Sequence, residues 1–179
     1  MDLSATQLIA YVPPLAMLVG WVIILARQCR ARQVNGWRLA VLAALAVYVQ
    51  NVIVLTLWPE PVGVSAGPRV IIALSLRDLL NWQPRQLLGN LVLLAPLAVI
   101  APLLWPHLAH LRRVLVLCLL TSLTIECLQV VLTALDLARR SFDLNDLLLN
   151  TAGGLLGYAA FALVRRWRPD WVDRLNPAA

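Results

Sequence analysis

Long apolar runs separated by short polar segments fill most of the chain. Five of them are found, and each approaches the roughly 20 residues that a helix needs to cross the hydrocarbon core of a bilayer. They cover residues 8–26, 37–57, 87–105, 114–134 and 147–164. The pattern predicts an all-α fold, namely a polytopic α-helical membrane protein with about five transmembrane helices, the first of which is the least regular.

The segment between the second and third runs, residues 59–86, is the longest polar part of the chain. It is rich in Pro and Gly at first and amphipathic over residues 70–82. Two interpretations remain open for it. Part of the segment could lie along the outer membrane surface, or the whole could be a plain connecting loop.

Composition agrees with the apolar pattern. The chain is 61% hydrophobic and only 13% charged, with a mean hydropathy of +0.78, whereas a soluble globular domain carries about 25% charged residues. We divide the chain into a first transmembrane helix with a cytoplasmic arginine-rich loop (1–36), a transmembrane domain of four helices (37–166) and a cytoplasmic tail (167–179).

The arginines predict an orientation, because loops rich in basic residues stay on the cytoplasmic side. Ten of them fall in alternate connections and in the tail: Arg27, Arg30, Arg32, Arg38, Arg112, Arg113, Arg165, Arg166, Arg168 and Arg174. Five crossings then place the N-terminus outside and the C-terminus in the cytoplasm. The net charge of +6 indicates anchoring to anionic lipid headgroups, and it requires no nucleic-acid partner.

Glu126 is the clearest candidate for a functional residue, because an ionisable side chain inside a membrane is costly and usually has a partner or a function. It lies about 20 Å along the fourth predicted helix at 1.5 Å per residue, hence in the outer half of the bilayer. Gln129 follows on the same helix face. Two states remain open: a neutral, hydrogen-bonded carboxyl, or an ionised one paired with Arg139 or Arg140.

Polar side chains of two other helices are expected at the same depth. Asp143, Asp146 and Asn150 open the fifth predicted helix at spacing i, i+3 and i+7, and Asn90 lies in the outer part of the third. A structural interpretation is also open. The two aspartates could be an N-cap and a first-turn carboxylate, and the amides could form interhelical hydrogen bonds.

Two glycines follow this polar stripe on the fifth predicted helix. Gly153 and Gly157 form a small-xxx-small pattern, which lets the backbone of another helix approach closely. We therefore expect the polar stripe to face protein rather than lipid.

Three motifs carry a resemblance to a known family. They are RQLLGNLVLLAP at residues 85–96, ECLQ at 126–129 and RSFDLNDLLLNTAGGLLG at 140–157. In this order they resemble the VanZ-like family over roughly residues 40–165, so that residues 37–166 are identified as a VanZ-like transmembrane domain. The family tends to have Phe before the Pro of the first motif and Gly two residues after it, where this chain has Leu94 and Ala98. The resemblance implies a protein of the bacterial cytoplasmic (inner) membrane, and the family's named member is linked to teicoplanin resistance.

Three classes of function fit these residues. The first is an envelope-modulating or resistance protein whose extracytoplasmic polar pocket binds a lipid headgroup or a lipid-linked ligand, with Arg140 on a phosphate or carboxylate. The second is an intramembrane enzyme that acts on a lipid or lipid-linked substrate, with Glu126 as general acid or base. The third is a small-lipid transporter or flippase, for which five helices without a repeat are a thin scaffold. Whether the protein is an enzyme is left open.

The candidate residues divide by role. An enzyme would use Glu126, Asp143 and Asp146 as catalytic residues, and the ligand-binding candidates are Asn90, Gln129, Arg140 and Asn150. No cofactor is predicted, although the carboxylates could hold a divalent cation. The expected partners are membrane lipids, with a lipid-linked envelope precursor or a lipoglycopeptide as candidate ligands, and oligomerisation is left open.

Overall fold

The computed structural model describes residues 5–30, 35–57, 69–71, 84–135 and 141–175. Nearly all of these residues are helical, and the predicted all-α, membrane-type fold is confirmed. The helices are α1 (Ala5–Arg30), α2 (Gly36–Leu57), α3 (Pro84–Leu93), α4 (Ala95–Leu104), α5 (Leu111–Ala134), α6 (Leu144–Trp167) and α7 (Pro169–Leu175), with a 3-10 turn at Pro106–Leu108.

Four helical segments in the described residues are long and apolar enough to cross a membrane. They are Gly36–Leu57, Leu87–Leu104, Leu111–Ala134 and Leu144–Trp167, which correspond to the second to fifth predicted runs. Within α1 the apolar stretch Ala16–Arg27 is shorter, so the first crossing stays a prediction. Large apolar side chains lie exposed on the outer faces of the spans, among them Leu55, Val92, Leu120 and Leu156, as expected of surfaces that face lipid.

The span Leu87–Leu104 is broken at Leu94, where the sequence predicted one continuous helix over residues 87–105. Leu94 has φ −103° and ψ −2° and lies between α3 and α4. The break has a local cause, because Pro96 has no backbone N–H to complete the helix and its ring disfavours a regular turn before it. The hydroxyl of Tyr48 in α2 donates to the carbonyl oxygen of Leu93 at 2.7 Å, which provides a partner for a carbonyl at the break.

The spans run in alternating directions, so each end of the bundle gathers the beginnings of some helices and the ends of others. The two ends differ in their chemistry. At one end, α2 begins, α4 ends, α5 begins and α6 ends. The Nη1 atom of Arg38 donates there to the carbonyl of Leu175 in α7 at 3.0 Å, and the hydroxyl of Tyr158 donates to the carbonyl of Ala109 at 3.1 Å. We call this the arginine-rich end, because Arg38, Arg112, Arg113, Arg165, Arg166 and Arg168 all lie near it in the chain.

Close backbone packing holds α6 against its neighbours. A Cβ atom at Gly153 would collide with the carbonyl oxygen of Leu91 in α3, and one at Gly157 with the carbonyl oxygen of Ala95 in α4. A Cβ at Gly154 would lie 2.6 Å from the sulfur of Cys118 in α5. The predicted small-xxx-small contact is therefore confirmed, and it brings the polar stripe of α6 against α3 and α5.

A pair of short strands was not predicted. Strand β1 (Arg69–Ile71) pairs in parallel with β2 (Ser141–Asp143), with Ile71 opposite Asp143. The pair joins the segment that follows α2 to the residues that precede α6. Only the first residues of the amphipathic stretch 70–82 are described, and they lie in this strand; residues 72–82 lie outside the described part of the chain.

Candidate functional site

The end of the bundle opposite the arginine-rich end carries the candidate residues. Here α2 ends, α3 begins, α5 ends and α6 begins. We refer to Asn90, Ser122, Glu126, Gln129, Asp143, Asp146 and Asn150 as the polar cluster. Its members come from α3, α5, the first half of α6 and the N-cap residue before α6, and each makes at least one of the hydrogen bonds described below.

Asp143 begins α6 as its N-cap. Its extended backbone has φ −121° and ψ 116°, and its side-chain oxygen Oδ1 accepts a hydrogen bond from the backbone N–H of Asn145 at 2.8 Å. An N-cap aspartate satisfies a backbone donor that the first helical turn leaves unpaired and lies favourably at the positive end of the helix dipole. Asp143 therefore occupies the N-cap position suggested by the sequence, and its role toward a ligand stays a prediction.

Glu126 is buried inside the span Leu111–Ala134, with 2% of its surface exposed. Its Oε2 atom accepts the backbone N–H of Asp143 at 3.0 Å, which links α5 to the start of α6. The basic partners considered from the sequence, Arg139 and Arg140, lie outside the described residues. Among the described groups, a backbone donor therefore holds this carboxyl.

Asn90 and Asp146 join a third helix to the same region. The Nδ2 atom of Asn90 in α3 donates to Oδ1 of Asp146 in the first turn of α6. Both side chains are partly buried. This contact and the Glu126 bond bring the carboxyl groups of α5 and α6 and the amide of α3 to one end of the bundle.

Asn150 lies one turn deeper in α6 and bonds to α5. Its Nδ2 atom donates to the hydroxyl oxygen of Ser122 at 3.0 Å, and both residues are buried. The other amide atom of Asn150, Oδ1, is buried without a hydrogen-bond partner in the described residues. An unsatisfied buried acceptor is costly, and such atoms commonly pair with an ordered water.

Gln129 makes its contact in a different direction. Its Nε2 atom donates to the carbonyl oxygen of Thr56, near the end of α2, at 2.9 Å, and the hydroxyl of Thr133 donates to the backbone carbonyl of Gln129 at 2.9 Å. This predicted ligand-binding residue thus ties α5 to α2. Its side chain lies at the edge of the polar cluster and bonds to α2 rather than to the carboxyl groups.

Sequence reasoning missed three buried polar residues at this end. Ser122 precedes Glu126 by one helical turn and faces α6, and Asn145 lies in the first turn of α6 between the two aspartates. Thr56 is buried near the end of α2. The spacing of Ser122 from Glu126 could have revealed it, since residues four apart share a helix face, whereas nothing in the pattern indicates which carbonyl of α2 lies opposite Gln129.

Two further predictions have no structural counterpart here. Arg140 lies outside the described residues, so its expected contact with a ligand stays a prediction. No group of three His, Cys, Asp or Glu side chains suited to a metal ion occurs in the part of the chain that the structure describes. The arrangement offers instead carboxylate and amide groups, which suit the hydroxyl, amino and amide groups of a polar ligand.

Comparison with known protein families identifies this chain, whereas comparison with individual proteins does not. No curated protein and no solved structure matches the chain significantly. The model of the VanZ/LLP1 family matches residues 14–165, which include the whole polar cluster and all four candidate spans up to the last turn of α6. Because the match covers most of the chain, this membrane protein belongs to the VanZ/LLP1 family.

Proposed function

We propose that this protein modulates the bacterial cell envelope by binding the polar head of a lipid or lipid-linked molecule at the polar cluster, on the extracytoplasmic side of the cytoplasmic membrane. One observation carries the proposal: α3, α5 and α6 each direct a buried or half-buried polar side chain to the same end of the bundle. Polar groups at membrane depth are costly and usually functional.

The distribution of arginines indicates which side of the membrane the polar cluster faces. The arginine-rich end is expected in the cytoplasm, and the polar cluster lies at the other end of the same helices. Lipid-linked wall precursors and lipoglycopeptides meet the membrane on that outer side. The resemblance described above adds the expectation of teicoplanin resistance, for which Arg140 would contact an anionic group of the ligand.

An intramembrane enzyme is the second candidate, and the burial of Glu126 favours it. A carboxyl inside a span and close to two aspartates could move a proton to or from a bound lipid. Binding requires only the polar contacts already described, and we therefore propose it first.

Expression in a teicoplanin-sensitive bacterium separates these functions. The wild-type protein should raise the teicoplanin concentration needed to stop growth, and Glu126→Gln should lose that effect at an equal level in the membrane. Gln keeps an oxygen that can accept the N–H of Asp143, so the variant should fold. For an enzyme, lipid extracts of wild-type cells would contain a new species that the variant lacks. Unaltered susceptibility with the wild-type protein would contradict the resistance role.

A further inference from the structure

A second site lies at the opposite end of the bundle from the polar cluster. Here α7 contacts α2, α4 and α6, and an open cavity of about 240 Å³ lies among these helices. The walls of this cavity are Trp37, Val41, Leu103, Val164, Trp171 and Leu175. All six side chains are apolar or aromatic, which suits methylene groups rather than a polar molecule.

The rim of the cavity is basic. The guanidinium of Arg168 lies 4.2 Å from the centroid of the Trp171 ring, and Nη1 of Arg38 donates to the carbonyl of Leu175 at 3.0 Å. Two of the six lining residues thus contact an arginine directly. Arg165 and Arg166 are exposed in the last turn of α6. Asp170 lies 3.4 Å from Arg168, but this pair is about half exposed and therefore weak.

The distribution of tryptophans indicates that the cavity lies at a membrane interface. Trp37, Trp105, Trp167 and Trp171 all lie at the arginine-rich end, and all four are exposed. Trp is enriched where headgroups meet the hydrocarbon core, because its ring is apolar and its N–H is polar. A molecule in this cavity would therefore have its polar part at headgroup level.

We propose that this cavity binds one anionic phospholipid, with part of an acyl chain among the apolar side chains and the phosphate near Arg168 and Arg38. Charge complementarity selects this occupant. The phosphate of a zwitterionic lipid is offset by its own cationic group and would gain less from the arginines, and a free phosphate would leave the cavity empty. Basic pockets between helices at a membrane surface bind anionic headgroups by the same chemistry.

Lipid titration of the purified full-length protein tests the proposal. Native mass spectrometry in detergent would compare dioleoylphosphatidylglycerol with dioleoylphosphatidylcholine, which have the same acyl chains. We expect phosphatidylglycerol to bind more tightly. Arg168→Gln should weaken its binding about fivefold and leave phosphatidylcholine unchanged, whereas Arg168→Lys should keep most of the preference. Val41→Phe should fill the cavity and weaken binding of both lipids.

The matched control is Arg112→Gln, which removes an exposed arginine of α5 at the same end that does not line the cavity. It should leave both affinities unchanged, and thermal unfolding should confirm that all variants are folded. Equal binding of the two lipids by the wild type would overturn the proposal. So would an equal loss in Arg112→Gln and Arg168→Gln, or full binding by Val41→Phe. A lipid-independent dimer that Val41→Phe abolishes would assign the cavity to a second copy of the chain.

Discussion

Carboxyl groups in the polar cluster receive hydrogen bonds across element boundaries. Glu126 in α5 is bound by the backbone N–H at the start of α6, and Asp146 in α6 is bound by the amide of Asn90 in α3. Leaving such groups without donors in a low-dielectric environment is costly. The same bonds therefore stabilise the bundle and orient the groups that would contact a ligand.

Removing the side-chain amide of Asn90 in α3 should reduce the stability of the bundle. Asn90→Ala leaves Asp146 without the donor that Asn90 supplies, and we expect a loss of about 1 kcal/mol in the free energy of unfolding, the size measured for polar contacts between membrane helices. Thermal unfolding in detergent is the measurement. The control is Asn51→Ala, because the exposed side chain of Asn51 donates to the carbonyl of Val47 in its own helix and links no second helix among the described residues. Equal losses in the two variants would contradict the assigned role of Asn90.

Residue types and spacing allowed part of this cluster to be predicted. A lone Glu in an apolar run, and the spacing of Asp143, Asp146 and Asn150, can be read directly from the sequence. The partners could not be predicted, because periodicity gives the face of a helix but not the atom opposite it. Glu126 is accordingly bound by a backbone N–H, and Gln129 by a carbonyl of α2, neither of which has a sequence signature.

At the scale of elements, α6 is the helix against which α3, α4 and α5 pack. Its glycines bring its backbone against α3 and α4, and its first turns bear the aspartates. The polar cluster depends on this close approach, since a wider separation of α3 from α6 would pull Asn90 away from Asp146.

A methyl group added at Gly153, where α6 contacts α3, should separate these two helices. In Gly153→Ala the new Cβ would collide with the backbone carbonyl of Leu91, which cannot move aside as the end of a flexible side chain could. We therefore expect a loss of about 1–3 kcal/mol in the free energy of unfolding. Gly89→Ala is the matched control, because a Cβ there meets nothing within 4 Å. That variant should be neutral or slightly stabilised by the higher helix propensity of Ala. An equally stable Gly153→Ala protein, measured by the same thermal unfolding, would rule out the close packing.

The elements were predictable to different degrees. Four spans follow from hydropathy alone, because each is a continuous apolar run of bilayer length. The break at Leu94 in the span Leu87–Leu104 involves Pro96, which lacks a backbone N–H, and the hydroxyl of Tyr48, which donates to the carbonyl of Leu93. A run of apolar letters does not show this contact with α2. The strands β1 and β2 have three residues each, too few for an alternating pattern to be recognised.

At the scale of the whole molecule, two ends with different chemistry define an orientation. The polar cluster is expected outside and the arginine-rich end in the cytoplasm. A single cysteine at Ser141, in a background with Cys29, Cys118 and Cys127 replaced by Ala, should react in intact cells with a membrane-impermeant maleimide. A cysteine at exposed His107, near the arginine-rich end, should react only after lysis. The reverse pattern would invert the orientation and move the proposed site to the cytoplasm.

The most direct test of the proposed binding function is the set of lipids that the purified protein retains. Mass spectrometry would compare wild type, Glu126→Gln and the control Asn51→Ala after identical extraction. The binding function predicts a lipid or lipid-linked molecule that the wild type and Asn51→Ala retain and that Glu126→Gln loses, while phosphatidylglycerol at the other end is retained by all three. Identical retained lipids in the three proteins would contradict the assignment of the polar cluster as a ligand site.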